Sequence, residues 1–155
     1  MGGTLIPLPP QVVTPCVAPC TKKGNTLLHI LAKRTWTEYG AHNWDRYEEL
    51  CRTSVELAKS FPKKVGVDLR NANGLTALMS AAASGNETMA FELVRAKCDI
   101  NAVHKVDGQP DRTAMDMAAC AKRSDILDYL KRHEGYGLCE KKQRGHGYQK
   151  KSRRM

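Results

Sequence analysis

The sequence predicts an all-α fold, a solenoid of stacked helix pairs joined by turn-rich connectors. Three observations predict it. Apolar residues recur at helical spacing in several separate segments. Three segments share one signature, a Gly shortly before a Thr and then a short apolar helix ending in small residues: GNTLLHILA from Gly24, GLTALMSAA from Gly74 and GQPDRTAMDMAA from Gly108. Finally, Ala81, Ala82 and Ala83 lie together near the centre of the chain. Alanine is the best helix former but buries little area. Small helical side chains at the centre therefore point to helices that approach closely. A helix pair cannot bury its apolar face alone, and stacking neighbours gives one continuous core.

The elements follow in order. Residues 1–20 form an extended, Pro-rich arm, whose Pro7-x-x-Pro10 spacing suits a polyproline-binding partner or an arm packed on the domain. Residues 24–34 predict a short helix opened by Thr26. The stretch from residue 35 to 44 is aromatic and irregular; Trp36, Tyr39 and Trp44 there either anchor an interface or fold back over the first helix pair. Residues 45–60 predict an amphipathic helix with Tyr47, Leu50, Cys51, Ser54, Leu57 and Ala58 on one face. Pro62 ends it. After the connector at 66–74, Thr76 caps an Ala-rich helix that stops at Gly85, a left-handed C-terminal position. Residues 86–97 predict a second helix, with Met89, Leu93 and Val94 inside and Glu92 and Arg95 outside. Residues 113–121 and 124–131 predict a third pair, with Ile126, Leu127 and Leu130 on its apolar face. Beyond His133 the periodicity stops, and the segment is expected to be disordered when alone.

The bulk numbers set the class. At 155 residues the chain has the size of one domain, and a 41% hydrophobic share supports a folded core with polar ends. No apolar run is long enough for a membrane span, and no secretory signal, transit peptide or myristoylation signal is read at the start. The net charge of +9 is uneven: the last sixteen residues hold seven Lys/Arg and one acid. The basicity is a tail, at 134–155, on a nearly balanced domain. The six cysteines show no regular spacing and read as reduced thiols in an intracellular protein, cytoplasmic or nuclear. Cys16 and Cys20 could supply two zinc ligands, but no second pair follows, so no metal and no cofactor is expected. No catalytic motif and no nucleophile–base grouping is visible.

The three segments, with GVDLRNANG and DINAVHKVDG ahead of the second and third, resemble ankyrin repeats. The family pattern is D-V-N-A-x-D-x-x-G-x-T-P-L-H-L-A-A, then G-x-x-x-I-V-x-L-L. Residues 66–97 follow it nearly in register, and Asp99 to Asn101 open the next unit. The threonines at 26, 76 and 113 are 50 and 37 residues apart, against a family period of about 33. The excess falls in the aromatic stretch, FPKK, HKVDG and QPDR. The family's proline is absent, and its histidine survives only as His29. The resemblance covers about residues 21–133 and implies an ankyrin-repeat solenoid with repeats at about 21–65, 66–98 and 99–133. It also implies that His29 bonds near Thr26; Thr113-x-x-Asp116 has the form of a capping box, with Asp in place of Glu, and is expected to replace that link.

Ankyrin repeats bind partners through their turn tips and the exposed side of the first helices. The resemblance carries this over to Lys22, Lys23, Asn25 and Lys33 in the first repeat, and to Arg70, Ala72, Asn73, Leu75 and Ala83 in the second. In the third it implies His104, Lys105, Val106, Gln109 and Cys120. This strip holds five basic residues and no acid, so an acidic, or mixed acidic and apolar, protein surface is the expected partner, with a solvated face as the alternative. Ala81 and Ala82 are expected in the stack and Ala83 in the groove. In the tail, Lys141, Lys142, Arg144, Lys150, Lys151, Arg153 and Arg154 are candidate contacts to an anionic partner, nucleic acid included; import and simple solubilisation are the other readings. The function expected is a non-enzymatic scaffold or adaptor. The alternative is an accessory subunit of a large assembly such as a ribonucleoprotein.

Overall fold

The computed structural model describes residues 21–34, 43–62, 66–133 and 135. The N-terminal arm, Trp36, Tyr39, Cys16, Cys20 and the tail cations lie outside the described residues. Among the described residues six helices occur in three consecutive pairs: α1 (Leu27–Ala32) with α2 (Trp44–Lys59), α3 (Ala77–Ser84) with α4 (Glu87–Arg95), and α5 (Ala114–Cys120) with α6 (Ser124–Arg132). The first members, α1, α3 and α5, stack on one another as an inner layer, and α2, α4 and α6 form the outer layer.

Each inner helix starts at a threonine. Thr76 and Thr113 accept the N–H of Met79 and Asp116, and Asp116 returns a bond to the Thr113 N–H, the expected capping box. At α1, the Thr26 N–H and hydroxyl donate to His29 Nδ1 at 3.3 and 2.9 Å. The other ring nitrogen, Nε2, lies 2.8 Å from the Leu75 carbonyl oxygen in the next unit. A carbonyl only accepts, so Nε2 carries the proton and Nδ1 is the acceptor. Burial then lowers the His29 pKa below 6.5, with Lys33 adding to the effect and the Leu75 bond opposing it. At the far end of α3, Gly85 has φ +78°, a left-handed cap as expected, and its N–H donates to the Ala81 carbonyl.

The centre of the stack is made of small residues. Ala77, Ala81 and Ala82 are 0–1% exposed, as is Ala118 on α5, whereas Ala83 is exposed. Leu78, Met79, Met89 and Leu93 fill the space around them. The connectors stack too: the Ala72 N–H donates to the Lys23 carbonyl at 3.0 Å, and Asn71 Nδ2 donates to Asn25 Oδ1 at 2.9 Å.

Two expectations need correction. On α2 the buried face is Tyr47, Cys51, Ser54, Val55 and Ala58; Leu57 is half-buried and Leu50 is 42% exposed. The true stripe is rotated toward Val55, which sits one residue beyond Ser54 on the side facing the inner layer. Glu92, read as an outer residue, is only 8% exposed. Its carboxylate lies between α2 and α4, 3.1 Å from Arg95 and 3.8 Å from Arg52. Paired in this way, the charge can sit under the surface. Trp44, half-buried, packs on the core with its ring 5.2 Å from that of Tyr47.

Candidate protein-binding groove

The connector ahead of α5 is a finger. His104 and Arg112 form an antiparallel bridge, with reciprocal N–H to carbonyl bonds of 2.7 and 3.1 Å. The residues between them, 105–111, are all exposed. The insertion that lengthens this unit beyond the family period is the tip of this finger.

Where the finger meets the exposed side of α3 and α5, a groove of about 390 Å³ opens. Leu75 and Ala83 line it from the second unit, and His104, Val106, Gln109 and Cys120 from the third. Five of the strip residues predicted from sequence, and Cys120, thus converge on one concave site. Pro110, Arg112, Met117 and Ala121 complete it and were not anticipated. The QPDR insertion hid Pro110 and Arg112, since the repeat pattern has no position for inserted residues. Met117 and Ala121 could have been found by extending the exposed side of α5 from Cys120 by helical spacing.

The remaining strip residues do not line the groove. Lys22, Lys23, Lys33, Ala72, Asn73 and Lys105 are exposed elsewhere on the surface. Asn25 is 7% exposed, so it cannot be a surface contact; its side chain holds Asn71 in the stack, and Asn71 Oδ1 in turn accepts the N–H groups of Asn73 and Leu75. Arg70 is exposed but structurally engaged. Its Nη1 donates to the carbonyls of Gly74 and Val103, both at 2.9 Å, joining the second and third connectors. The strip is also less positive than expected, because exposed Asp107 and Asp111 flank the groove on the finger.

Burial pushes the Cys51 thiol up to about 11 despite a hydrogen bond with Tyr47, so it stays protonated at neutral pH. Among the described residues no cluster of His, Cys, Asp and Glu could hold a metal ion, and no helix is long and apolar enough to cross a membrane.

No curated protein matches the chain. A family model described as ankyrin repeats (3 copies) matches residues 47–142, more than half of the sequence. The match starts inside α2 and leaves α1 out, although α1 stacks on α3 as α3 stacks on α5. Ankyrin repeats are generally protein-interaction modules and typically non-catalytic. The repeated Thr-capped inner helices, the outer helices paired with them and the family match lead to one conclusion: the chain belongs to the ankyrin-repeat family.

Proposed function

We propose that this chain is a non-catalytic scaffold or adaptor that docks another protein in the groove between its second and third repeats. The observation that carries the reading is the convergence of Leu75, Ala83, His104, Val106 and Gln109, spread over 35 residues of sequence, on one concave surface. A groove with apolar walls and a few convergent polar groups is the usual form of a binding site. The exposed cations Lys22, Lys23, Lys33 and Lys105 would steer an acidic partner toward the domain. The seven Lys/Arg of the tail supply a second, anionic contact.

That tail favours a second reading, an accessory subunit of a ribonucleoprotein whose tail lies along RNA. Capture from the native source, quantified by mass spectrometry with and without nuclease, separates the two. The scaffold reading expects a protein that survives nuclease and is lost with Ala83→Trp, which fills the groove. The accessory reading expects salt-sensitive, nuclease-sensitive capture that is lost on deleting residues 140–155.

A further inference from the structure

We infer that the groove selects an extended partner segment carrying a carboxylate side chain next to an aliphatic residue, with Arg112 receiving the carboxylate. The inference rests on the groove being the docking surface.

Arg112 differs from the arginines that hold the stack together. Arg52 and Arg95 share the Glu92 carboxylate, and Arg70 is spent on two backbone carbonyls. Arg112 is half-buried and lines the groove, yet among the described residues its guanidinium has no hydrogen-bond or ion-pair partner. Its Nε is shut off from solvent, as is Nδ1 of His104, its partner in the bridge. An unpartnered N–H at a buried position is uncommon and costly, and the guanidinium, which can only donate, calls for an acceptor. The backbone of Arg112 is fixed by both bonds of the bridge, so the side chain leaves from a rigid base. A guanidinium presents a planar fork that suits a carboxylate in bidentate geometry.

The surroundings choose the class of ligand. Ala83, Met117 and Ala121 give the groove an apolar wall beside the cation. Its volume, about 390 Å³, is at the small end for a ligand site, with room for a short extended stretch. A nucleic acid fits poorly. The finger balances Lys105 and Arg112 with Asp107 and Asp111, and those exposed acids repel a run of phosphates while leaving space for one carboxylate.

The test is selection of a displayed random-peptide library on the full chain, followed by affinity measurement of the enriched peptides. Enriched peptides should carry Asp or Glu beside Leu, Ile, Val or Met. They should bind roughly tenfold to a hundredfold more weakly to Arg112→Gln, as for loss of a charged hydrogen bond. Arg112→Lys should restore part of the loss. It keeps the charge, so it also covers the case in which Gln unsettles the finger. Ala83→Trp should abolish binding. Peptides lost with Ala83→Trp that are neutral, or acidic but indifferent to Arg112→Gln, would overturn the carboxylate inference and leave the groove reading intact. Peptides indifferent to Ala83→Trp, or no enrichment at all, would overturn both. A fluorescent polyuridine 20-mer whose binding depends on Arg112 would overturn the inference in favour of RNA.

Discussion

Replacing Asn86 by Asp should destabilise this protein strongly, although Asp is as good a helix N-cap as Asn. Asn86 is 3% exposed and caps α4, with Oδ1 accepting the Met89 N–H at 3.1 Å. Its amide nitrogen faces the first repeat. Nδ2 donates to the carbonyls of Leu31 and Arg34, at 2.9 and 2.8 Å, and reaches the Tyr47 hydroxyl. That hydroxyl itself donates to the Leu31 carbonyl at 2.7 Å. One side chain thus ties the end of α1 to α2 and to the start of α4. Asp keeps the cap and gains about 0.3–1 kcal/mol from negative charge at a helix start. It loses every donation to the first repeat and turns a carboxylate oxygen toward carbonyl oxygens. A buried group left without its partner costs about 1–3 kcal/mol, and more when charged. The net expectation is a loss of roughly 2–4 kcal/mol for Asn86→Asp. In urea, with a slope of about 1–3 kcal/mol per molar, the midpoint should fall by roughly 1–2 M. Asn86→Ala, which loses cap and donor together, sets the scale. An Asn86→Asp unfolding curve that superimposes on the parent would refute the reasoning, because the cap alone would then be what Asn86 supplies.

Three further expectations test the packing and the buried groups. Ala82→Leu overfills the contact between inner helices and should cost about 1–3 kcal/mol, whereas Ala83→Leu on the exposed side should melt within about 0.5 kcal/mol of the parent; equal melting of the two contradicts the stacking. Because His29 is held neutral with a lowered pKa, its contribution is complete above the ordinary value of 6.5 and is lost as pH falls through the lower folded value. Urea midpoints should therefore drop on acidification below 6.5 and do so less steeply in His29→Asn; parallel curves would remove His29 from the account. Alkylation followed peptide by peptide should label exposed Cys120 rapidly at neutral pH and reach buried Cys51 and Cys98 only on unfolding. Early labelling of Cys51 would contradict its burial.

Much of the fold was legible because it is written in local, repeated signals. The threonines that follow Gly24, Gly74 and Gly108, together with Gly85 and the alanine run, placed the inner helices and their caps to within a residue or two. The polar interior was harder to read. Asn86 sits at a helix start like many other asparagines, and its partners Leu31, Arg34 and Tyr47 are 39 to 55 residues away. Glu92 is inside because Arg52 and Arg95 happen to converge on it, which helical periodicity does not encode. Asn25 illustrates the same limit, as turn position suggested exposure while Asn71 of the next repeat covers it. Within the groove, residues in register with the repeat were found and the inserted Pro110 and Arg112 were not. An insertion has no template, and here it carries the arginine whose buried Nε has no partner.

Site-specific photo-crosslinking in the native source tests the docking surface most directly. A benzophenone amino acid at Ala83 or Val106 should give a discrete protein adduct that survives nuclease, while the same group at Thr53, exposed on the outer helix α2, should not. An adduct formed from Thr53 but not from Ala83 or Val106 would move the partner to the outer layer and contradict the account.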